Sequence, residues 1–489
     1  MEPRIKNTGS LVSHGNVPGR KAMLEILEAG LQAADPYHNA RKLIHLRGDK
    51  LTVGCREFEP EGDPHSGNAV YDLSQIENIY VFGAGKGIQR VAKALEDTLG
   101  ERIAGGHVID KKGHPKILQR IGVTFGGHPI PDEDCVRGCE RVLEMTRGLT
   151  KNDLVFTCVS NGVSSTLTMP VPGVSLEDVR KTTHIMQIEH GAPTRDVNSV
   201  RNHLDMMKGG RISRYIYPAP AVHIIARDPV TYDELMHQNY WLHTLPDCTT
   251  FQLAVENIKK WDAWKEVPSA VREFLARGDP KYETVKAEEF EKMPSRIFGI
   301  MPGYKYTAKF PAAMKKAREL GFRPVLLTDE LWGVEARHAG ICLAAICQTI
   351  ERIGKPFPPP CALFTSGEVV VTVGSERGIG GRNQELALAA AAGIAGSSHI
   401  VIASVDTDGT DGPGTQFFAG SGGIPHCLAG GIVDGETVAE AMKAGLNINE
   451  AIKRHNTSPI LWKLGSGIEA TPNISLVDFT VALVMGLNR

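Results

Sequence analysis

One local pattern recurs along the chain and limits its folds more than any other feature. An apolar run of four to six residues enters a glycine-bearing turn, and an amphipathic stretch follows. The fullest case is ENIYVFGAGKGIQRVAKALEDTLG at 77–100, which reads as strand, glycine turn and helix. Related pieces follow at HVID (107–110), at VTFGG (123–127) with a helix over 132–147, at LVFTCVSNG (154–162), at a helix over 175–190 and at VHIIARD (222–228). Apolar strands without polar alternation need cover on both faces, so the pattern predicts a parallel sheet between two layers of helices. Glycine is 52 of 489 residues, above the usual share of about 7%. The excess sits in short loops after apolar runs, where backbone must turn tightly or approach a ligand.

A second α/β series is expected from RIFGIMP (296–302). It continues with a helix at 309–320, VLLTD (325–329), a helix at 333–353, strands in 361–373, a helix at 383–394, HIVIASVD (399–406), helices in 436–455 and a strand at 477–486. The charged stretch 228–294 holds no good strand and reads as a connector or an insertion, and an amphipathic helix over 20–34 precedes everything. Two α/β domains meeting across a cleft are the expected architecture.

Composition removes several classes of function. Lys and Arg total 54 against 56 Asp and Glu, which argues against nucleic-acid binding by a basic field. No apolar run approaches the roughly 20 residues of a membrane span, and the polar start lacks a signal-peptide core. The expectation is a cytoplasmic protein with no membrane and no nucleic-acid partner. Nine cysteines without a C-x-x-C pair, and no H-E-x-x-H string, point to reduced thiols rather than a zinc site.

Three loops can carry chemistry. The first is Gly83-Ala-Gly85-Lys86-Gly87, whose N–H groups at a helix start suit phosphate or carboxylate. It also fits a plain structural turn with a surface lysine. As a dinucleotide fingerprint it puts Ile88 at the third glycine, although Asp110 ends the next strand as such a site requires. The second is Gly378-Ile-Gly380-Gly381-Arg382-Asn383-Gln384-Glu385, where four polar side chains open an almost wholly apolar helix. Arg382 can present a planar fork to an anion, with Asn383 beside it. The third is Asp406-Thr-Asp408-Gly409-Thr-Asp411-Gly412-Pro413, at the carboxyl end of an apolar strand. Three carboxylates there repel unless a proton or a cation intervenes, and magnesium with nucleotide phosphates is the expected cation. Asp406 and Asp411 are the expected metal ligands. Lesser signals are the turn at Ser160-Asn161-Gly162, His128 after a strand, and Arg201 and Lys208 near Gly209-Gly210, which read equally as an anion site or a solvated helix face.

Several strings together are similar to a known family. VFGAGKG, GGHPIPDE, RDVNSVRNHLDMMKGGRIS, TSGEVVVTVG, GIGGRNQELALAAAAG and SVDTDGTDGP occur in the order and spacing of its motifs. The chain resembles the glycerate 2-kinase family, whose C-terminal region is called the MOFRL domain. The resemblance implies a Rossmann-like glycerate-kinase domain over 1–290 and a MOFRL-type α/β domain over 291–489, with the active site in the cleft. It implies ATP- and magnesium-dependent phosphorylation of D-glycerate at the 2-hydroxyl; some members are also described as hydroxypyruvate reductases. Lys86, Arg382 and Asp408 would be catalytic. Gly83, Gly85, Ser160, Asn161, Arg201, Lys208, Asn383 and Asp478 would contact substrate or nucleotide. A homodimer is compatible with this reading.

Three ligand-type loops depart from the family pattern. Its SGGGSAL loop is SNGVSST here, with Asn161 and Val163 in place of glycines. Its short Asp-Gly-Asp loop and ASGPT string are replaced by PVTYDELMHQNYWLHTLPDCTT. Its TGPTGTNVNDL-like string is EATPNISLVDF, which keeps Asp478. A reshaped acceptor pocket is therefore expected, on D-glycerate or a related small hydroxy or sugar acid. Two other readings keep the fold: reduction of a 2-keto acid, or a binding protein without turnover.

Overall fold

The computed structural model describes residues 3–227, 229–301, 309–374, 376, 378–412, 428–473 and 477–486. The chain divides into two units, Pro36–Pro302 and Met1–Asp35 with Gly303–Arg489.

The first unit opens with an antiparallel meander of β1 (Ile44–Arg47), β2 (Lys50–Val53) and β3 (Ala69–Asp72). Its main sheet contains β4 (Ile79–Ala84), β5 (Ile103–Lys111), β6 (Gly122–Gly126), β7 (Leu154–Val159), β8 (Ala221–Ile225) and β9 (Ser295–Gly299). The order is β6-β5-β4-β7-β8-β9 and every neighbouring pair is parallel. Numbered from β4, this is the Rossmann order 3-2-1-4-5-6. β7 is buried at all six positions and β8 at all five, as continuous apolar strands between two helical layers should be.

Here the structure departs from the expected division at 290/291. RIFGIMP does not open the second series: β9 pairs with β8 from Ala221↔Ser295 to Ile225↔Gly299 and completes the first sheet. The charged stretch before it is an insertion between these two strands. Its helices Phe251–Lys260 and Ser269–Arg277 bury Phe251, Ile258, Val271 and Phe274 against Val179, Val197 and Val200.

The second unit holds β10 (Arg323–Glu335), β11 (Cys361–Val370), β12 (Ile400–Asp406), β13 (Gly430–Asp434), β14 (Gly467–Ile468) and β15 (Asp478–Val484), in the order β10-β11-β15-β12-β13-β14. Only β10 and β11 are parallel; the remaining pairs are antiparallel. Alternate residues serve opposite faces. Ala362, Phe364, Val401, Ala403, Phe479 and Val481 pack under helices Val17–Ala33 and Lys309–Glu319. Cys361, Leu363, Ile400, Ile402, Ala482 and Val484 pack under Ala336–Ile353 and Arg382–Gly393. The N-terminal helix, expected in the first domain, thus covers the second sheet. Arg20 on that helix meets Asp434 of β13 at 2.6 Å, with both side chains fully buried. Gly30 lets the helix lie close, since a Cβ there would fall 2.7 Å from the Phe479 ring.

Two histidines of the first sheet make its stability depend on acid. His223 donates to or accepts from Thr157 at 2.7 Å across β7 and β8, and burial pushes its pKa down to about 3. His107 does the same with Thr124, and burial takes it down to about 4. An unfolded imidazole binds its proton near pH 6.5 while these folded ones refuse it, so their contribution is full above that pH and is lost as pH falls toward 4 and then 3. For His223 the full loss, reached below both pKa values, is on the order of 5 kcal/mol. Urea unfolding between pH 4 and pH 8 should show this slope, and His223→Asn should flatten it; an unchanged slope in the variant would exclude His223 as its origin. Among the described residues, no helix is long and apolar enough to cross a membrane.

Candidate active site

In the Rossmann order, the connections from β4 and β7 leave in opposite directions, and ligands bind at the carboxyl ends of two such strands. Both strands end in a glycine turn, and the two turns are bonded together. Lys86 N–H donates to the Asn161 carbonyl at 2.8 Å, Ser160 N–H to the Ala84 carbonyl at 3.2 Å, and Ser160 Oγ to the Lys86 carbonyl at 2.9 Å. Gly85 has φ +129°, and a Cβ there would lie 2.2 Å from Ser160 Oγ, while one at Gly83 would lie 2.8 Å from the Cys158 carbonyl. Gly162, at φ +85°, gives way to the Lys86 stem and the His128 ring, each 2.9 Å from where its Cβ would be. Gly83, Gly85, Lys86, Ser160 and Asn161 therefore come together in two adjoining turns. The place of His128 beside them is tertiary information that its strand-end position did not carry. Gly85→Ala should cost about 1–3 kcal/mol in backbone strain alone and push the two turns apart. Thermal unfolding measures it, and a variant as stable as the parent would contradict the close packing.

Asp110 occupies a different place from that of a dinucleotide site. It is 1% exposed and folds inward, with Oδ1 accepting Gly87 N–H at 2.8 Å and Lys111 N–H at 2.7 Å, and Oδ2 accepting Gln89 Nε2 at 2.9 Å. A carboxylate that closes the glycine turn is not presented to a ribose. Two of the altered loops also prove to be one change. Val163 is buried in the same cluster as Leu242 and Leu245, and Ser164 Oγ meets His243 Nε2 at 2.9 Å. The bulk that replaces glycine in one loop packs on the bulk that replaces small residues in the other. Burial, with Lys208, Arg201 and Arg211 nearby, holds His243 well below its ordinary pKa.

The cations near Gly209 and Gly210 are not a solvated face. Lys208 is 1% exposed, and its Nζ donates to Asp205 Oδ2 at 2.6 Å and Thr168 Oγ1 at 2.8 Å. Those contacts give it an internal bracing role in place of the expected ligand contact. Arg201 differs, because among the described residues its Nε, Nη1 and Nη2 donate to the neutral oxygens of Thr183, Asn198 and Gln187 at 3.2, 3.3 and 3.1 Å. Burial brings its pKa down to about 10. It is a desolvated cation suited to an anion.

In the second unit, strand register builds the site. β15 lies between β11 and β12, with Asp478 directly opposite Gly367 on one side and Asp406 on the other. Acids from three neighbouring strands thereby surround the first residue of helix Arg382–Gly393. Arg382 Nε donates to Asp478 Oδ1 at 2.8 Å, Nη1 to Glu368 Oε1 at 2.9 Å and Nη2 to Asp406 Oδ2 at 2.9 Å. Burial opposes its charge, but Asp478, Asp406 and Glu368 together hold its pKa above the ordinary value. Asn383 Nδ2 adds bonds to Asp478 Oδ1 at 2.7 Å and to Asp411 Oδ1 at 3.1 Å.

Within the carboxylate loop, Asp411 does not take the place expected of a metal ligand. Asp411 accepts the Asn383 and Gln384 N–H groups at 3.1 and 2.9 Å, so it closes the first turn of the helix rather than standing open to a metal. Burial pushes its pKa up to about 6. Asp408 Oδ1 accepts Thr410 N–H and Oγ1 at 2.8 and 2.7 Å, and Asp406 faces Arg382. Arg382 and the helix N–H groups supply the positive field. Among the described residues, no group of three or more His, Cys, Asp or Glu side chains is arranged to hold a metal. Pro413, which closes the motif, lies outside the described residues. Sequence reasoning missed Glu368, although it stands inside the TSGEVVVTVG string. It also missed Lys309, buried with Nζ donating to Ser366 Oγ at 2.8 Å and the Asp478 carbonyl at 3.0 Å, for which the sequence holds no signal.

The chain is similar to known proteins over most of its length. Residues 22–276 match a family described as a domain of unknown function, DUF4147, and residues 361–477 match the MOFRL family. The chain is 32% identical to a glycerate 2-kinase of Pyrococcus horikoshii, over 96% of this chain and 98% of that protein. It is 31% identical to a D-glycerate 2-kinase of Thermotoga maritima, over 84% and 91%. A crystal structure of glycerate kinase from Thermotoga maritima superposes with a TM-score of 0.71 at 29% identity, covering 95% of this chain and 99% of that one. With its two motif sets on the expected scaffolds and its relatives matched over nearly their full length, this chain belongs to the glycerate 2-kinase family and carries a MOFRL region at its C-terminal end.

Proposed function

We propose that the protein transfers the terminal phosphoryl group of ATP to the 2-hydroxyl of D-glycerate or of a related small hydroxy acid. The observation that carries this reading is the pair of interlocked glycine turns at the switch point, with Lys86 rising from one of them. Phosphoryl transfer asks little covalent chemistry of a protein; it needs phosphates held in place and their charge offset. The N–H groups of the Gly83–Gly87 and Ser160–Gly162 turns suit phosphate oxygens, and Lys86 offsets charge beside them. Arg201 suits the acceptor's carboxylate. Arg382 acts through its Nη1 edge, where its partner Glu368 is half exposed and a phosphate oxygen can take its place. Asn383 and Asp478 keep that guanidinium oriented and are positioning residues. Asp406 and Asp408 offer hard oxygen donors, fitting magnesium, which takes one or two carboxylates together with substrate phosphates. When bound, the ion would offset charge on the transferring phosphoryl oxygens. Asp408 would then orient the acceptor hydroxyl. The described cysteines are all free thiols, as a reducing cytosol keeps them.

The deciding assay follows ADP release with D-glycerate, ATP and magnesium, beside NADH oxidation with hydroxypyruvate. Expected are glycerate- and magnesium-dependent ADP release, phosphate on the 2-position and no NADH oxidation. Hydroxypyruvate-dependent oxidation of NADH without ATP turnover would replace the kinase with a reductase.

A further inference from the structure

Two residues of the Arg-Asn-Gln-Glu helix start, Gln384 and Glu385, have no part in the chemistry described above, yet they are 0% and 1% exposed. Both are gripped by one turn, residues 455–458. His455 Nδ1 donates to Glu385 Oε2 at 2.8 Å, and the Thr457 and Ser458 hydroxyls donate to Gln384 Oε1 at 3.3 and 2.6 Å. The same turn holds the glycine loop ahead of the helix. Ile379 N–H donates to Asn456 Oδ1 at 3.0 Å, and Ser458 N–H to the Ile379 carbonyl at 2.9 Å. Gly378 and Gly380 lie so close that a Cβ at the first would strike the Arg454 carbonyl, and one at the second the Thr457 hydroxyl. Each residue from 455 to 458 thus bonds to the stretch 379–385, which carries Arg382 within it.

His455 is a costly residue for its own position. It follows helix Ile448–Lys453, with its N–H on the Ile452 carbonyl at 3.1 Å and the Asn456 N–H on the Ala451 carbonyl at 2.8 Å, the bond pattern of a left-handed cap. Its φ is +52°, where glycine fits easily and a histidine is strained. That strain is offset by the bond the side chain makes. Among the described residues no other group donates to the Glu385 side chain, and its Oε1 is buried without a partner. A buried carboxylate deprived of its donor would turn or draw in water, and either change moves the first turn of the helix.

We propose that the turn 455–458 positions Arg382, with His455 as its main positioning residue. Acids from three strands hold the guanidinium itself, and the turn holds the backbone that carries it. A group that meets a transferring phosphoryl must be kept within about 0.5 Å of its productive place, and one anchored side chain cannot do that from a loose helix start. The proposal rests on the reading that Arg382 serves the phosphoryl group.

His455→Gly keeps the left-handed backbone and removes the donor, whereas His455→Asn keeps the backbone and returns a donor from its amide. Steady-state kinetics of the full chain with ATP, magnesium and D-glycerate should show kcat about tenfold lower for His455→Gly, with KM for ATP within about twofold of the parent. His455→Asn should restore kcat to within about twofold. In an Arg382→Ala background, His455→Gly should lower kcat by less than about twofold, because the group it positions is gone. Ser458→Ala, a small change that removes the bond to Gln384, should cost about threefold in kcat, and it stands as the probe if His455→Gly does not fold. A parent-like kcat in the folded variants, no recovery in His455→Asn, or an undiminished loss without Arg382 would each overturn the assignment. A parent that releases no ADP with glycerate would remove the kinase reading alone. Urea midpoints then carry the same cycle: the His455→Gly shift should shrink by at least about half in Arg382→Ala, and an unchanged shift would overturn the positioning role.

Discussion

Arg382→Ala should be the most damaging single change in the second unit, costing about 3 kcal/mol of stability and at least about a hundredfold in turnover. The stability loss follows from the partners it leaves behind. Asp406 and Asp478 are 7% and 3% exposed, and a buried carboxylate stripped of its cation keeps its desolvation cost without its compensation. Glu368 is half exposed and contributes little to that sum. For a unit of this size the melting point should fall by roughly 6–12 °C. A side chain held by acids from three strands serves the fold as well as the site. Arg382→Lys keeps the charge but cannot reach all three carboxylates, so it should recover part of the stability and little of the activity. Melting curves beside kcat/KM for both variants test this, and an Arg382→Ala protein that melts like the parent would remove the network from any account of stability.

Lys86→Ala should separate the two quantities. Turnover should fall by about a hundredfold or more, as for a lost transition-state contact, while the melting point stays within a degree or two. The backbone of Lys86 does the structural service, through its N–H to Asn161 and its carbonyl to Ser160, and alanine preserves both. The loss should appear in kcat more than in KM if the ammonium offsets charge that develops during transfer. An equal rise in KM with kcat unchanged would make Lys86 a ground-state anchor instead. Lys86→Arg should restore only part of the rate, because its planar fork cannot stand where a point charge stood.

The glycine turns, their lysine and the Arg-Asn-Gln-Glu helix start were legible because each is a local conflict: apolar sequence interrupted by residues that local packing does not need. The partners of those residues were not legible. Asp411 looks like a metal ligand in a row of acids, and only the fold turns it onto the N–H groups of Asn383 and Gln384. Lys208 next to two glycines reads equally as a ligand contact or a solvated cation, and only the return of the chain past Asp205 and Thr168 shows it buried.

What the sequence determined by itself is whatever depends on a residue and its near neighbours. Runs such as LVFTCV and HIVIASV demanded burial on both faces, the turn at Gly83 demanded glycine, and the motif order identified the family. Tertiary structure decided what depends on strand order and register. It made RIFGIMP the last strand of the first sheet, put helix Val17–Ala33 on the second, and set Asp478 between Gly367 and Asp406. The physical reason is distance along the chain. Arg382 and Asp478 are 96 residues apart, and hydrophobic periodicity reports each segment's own burial while carrying no term for which segment will cover it.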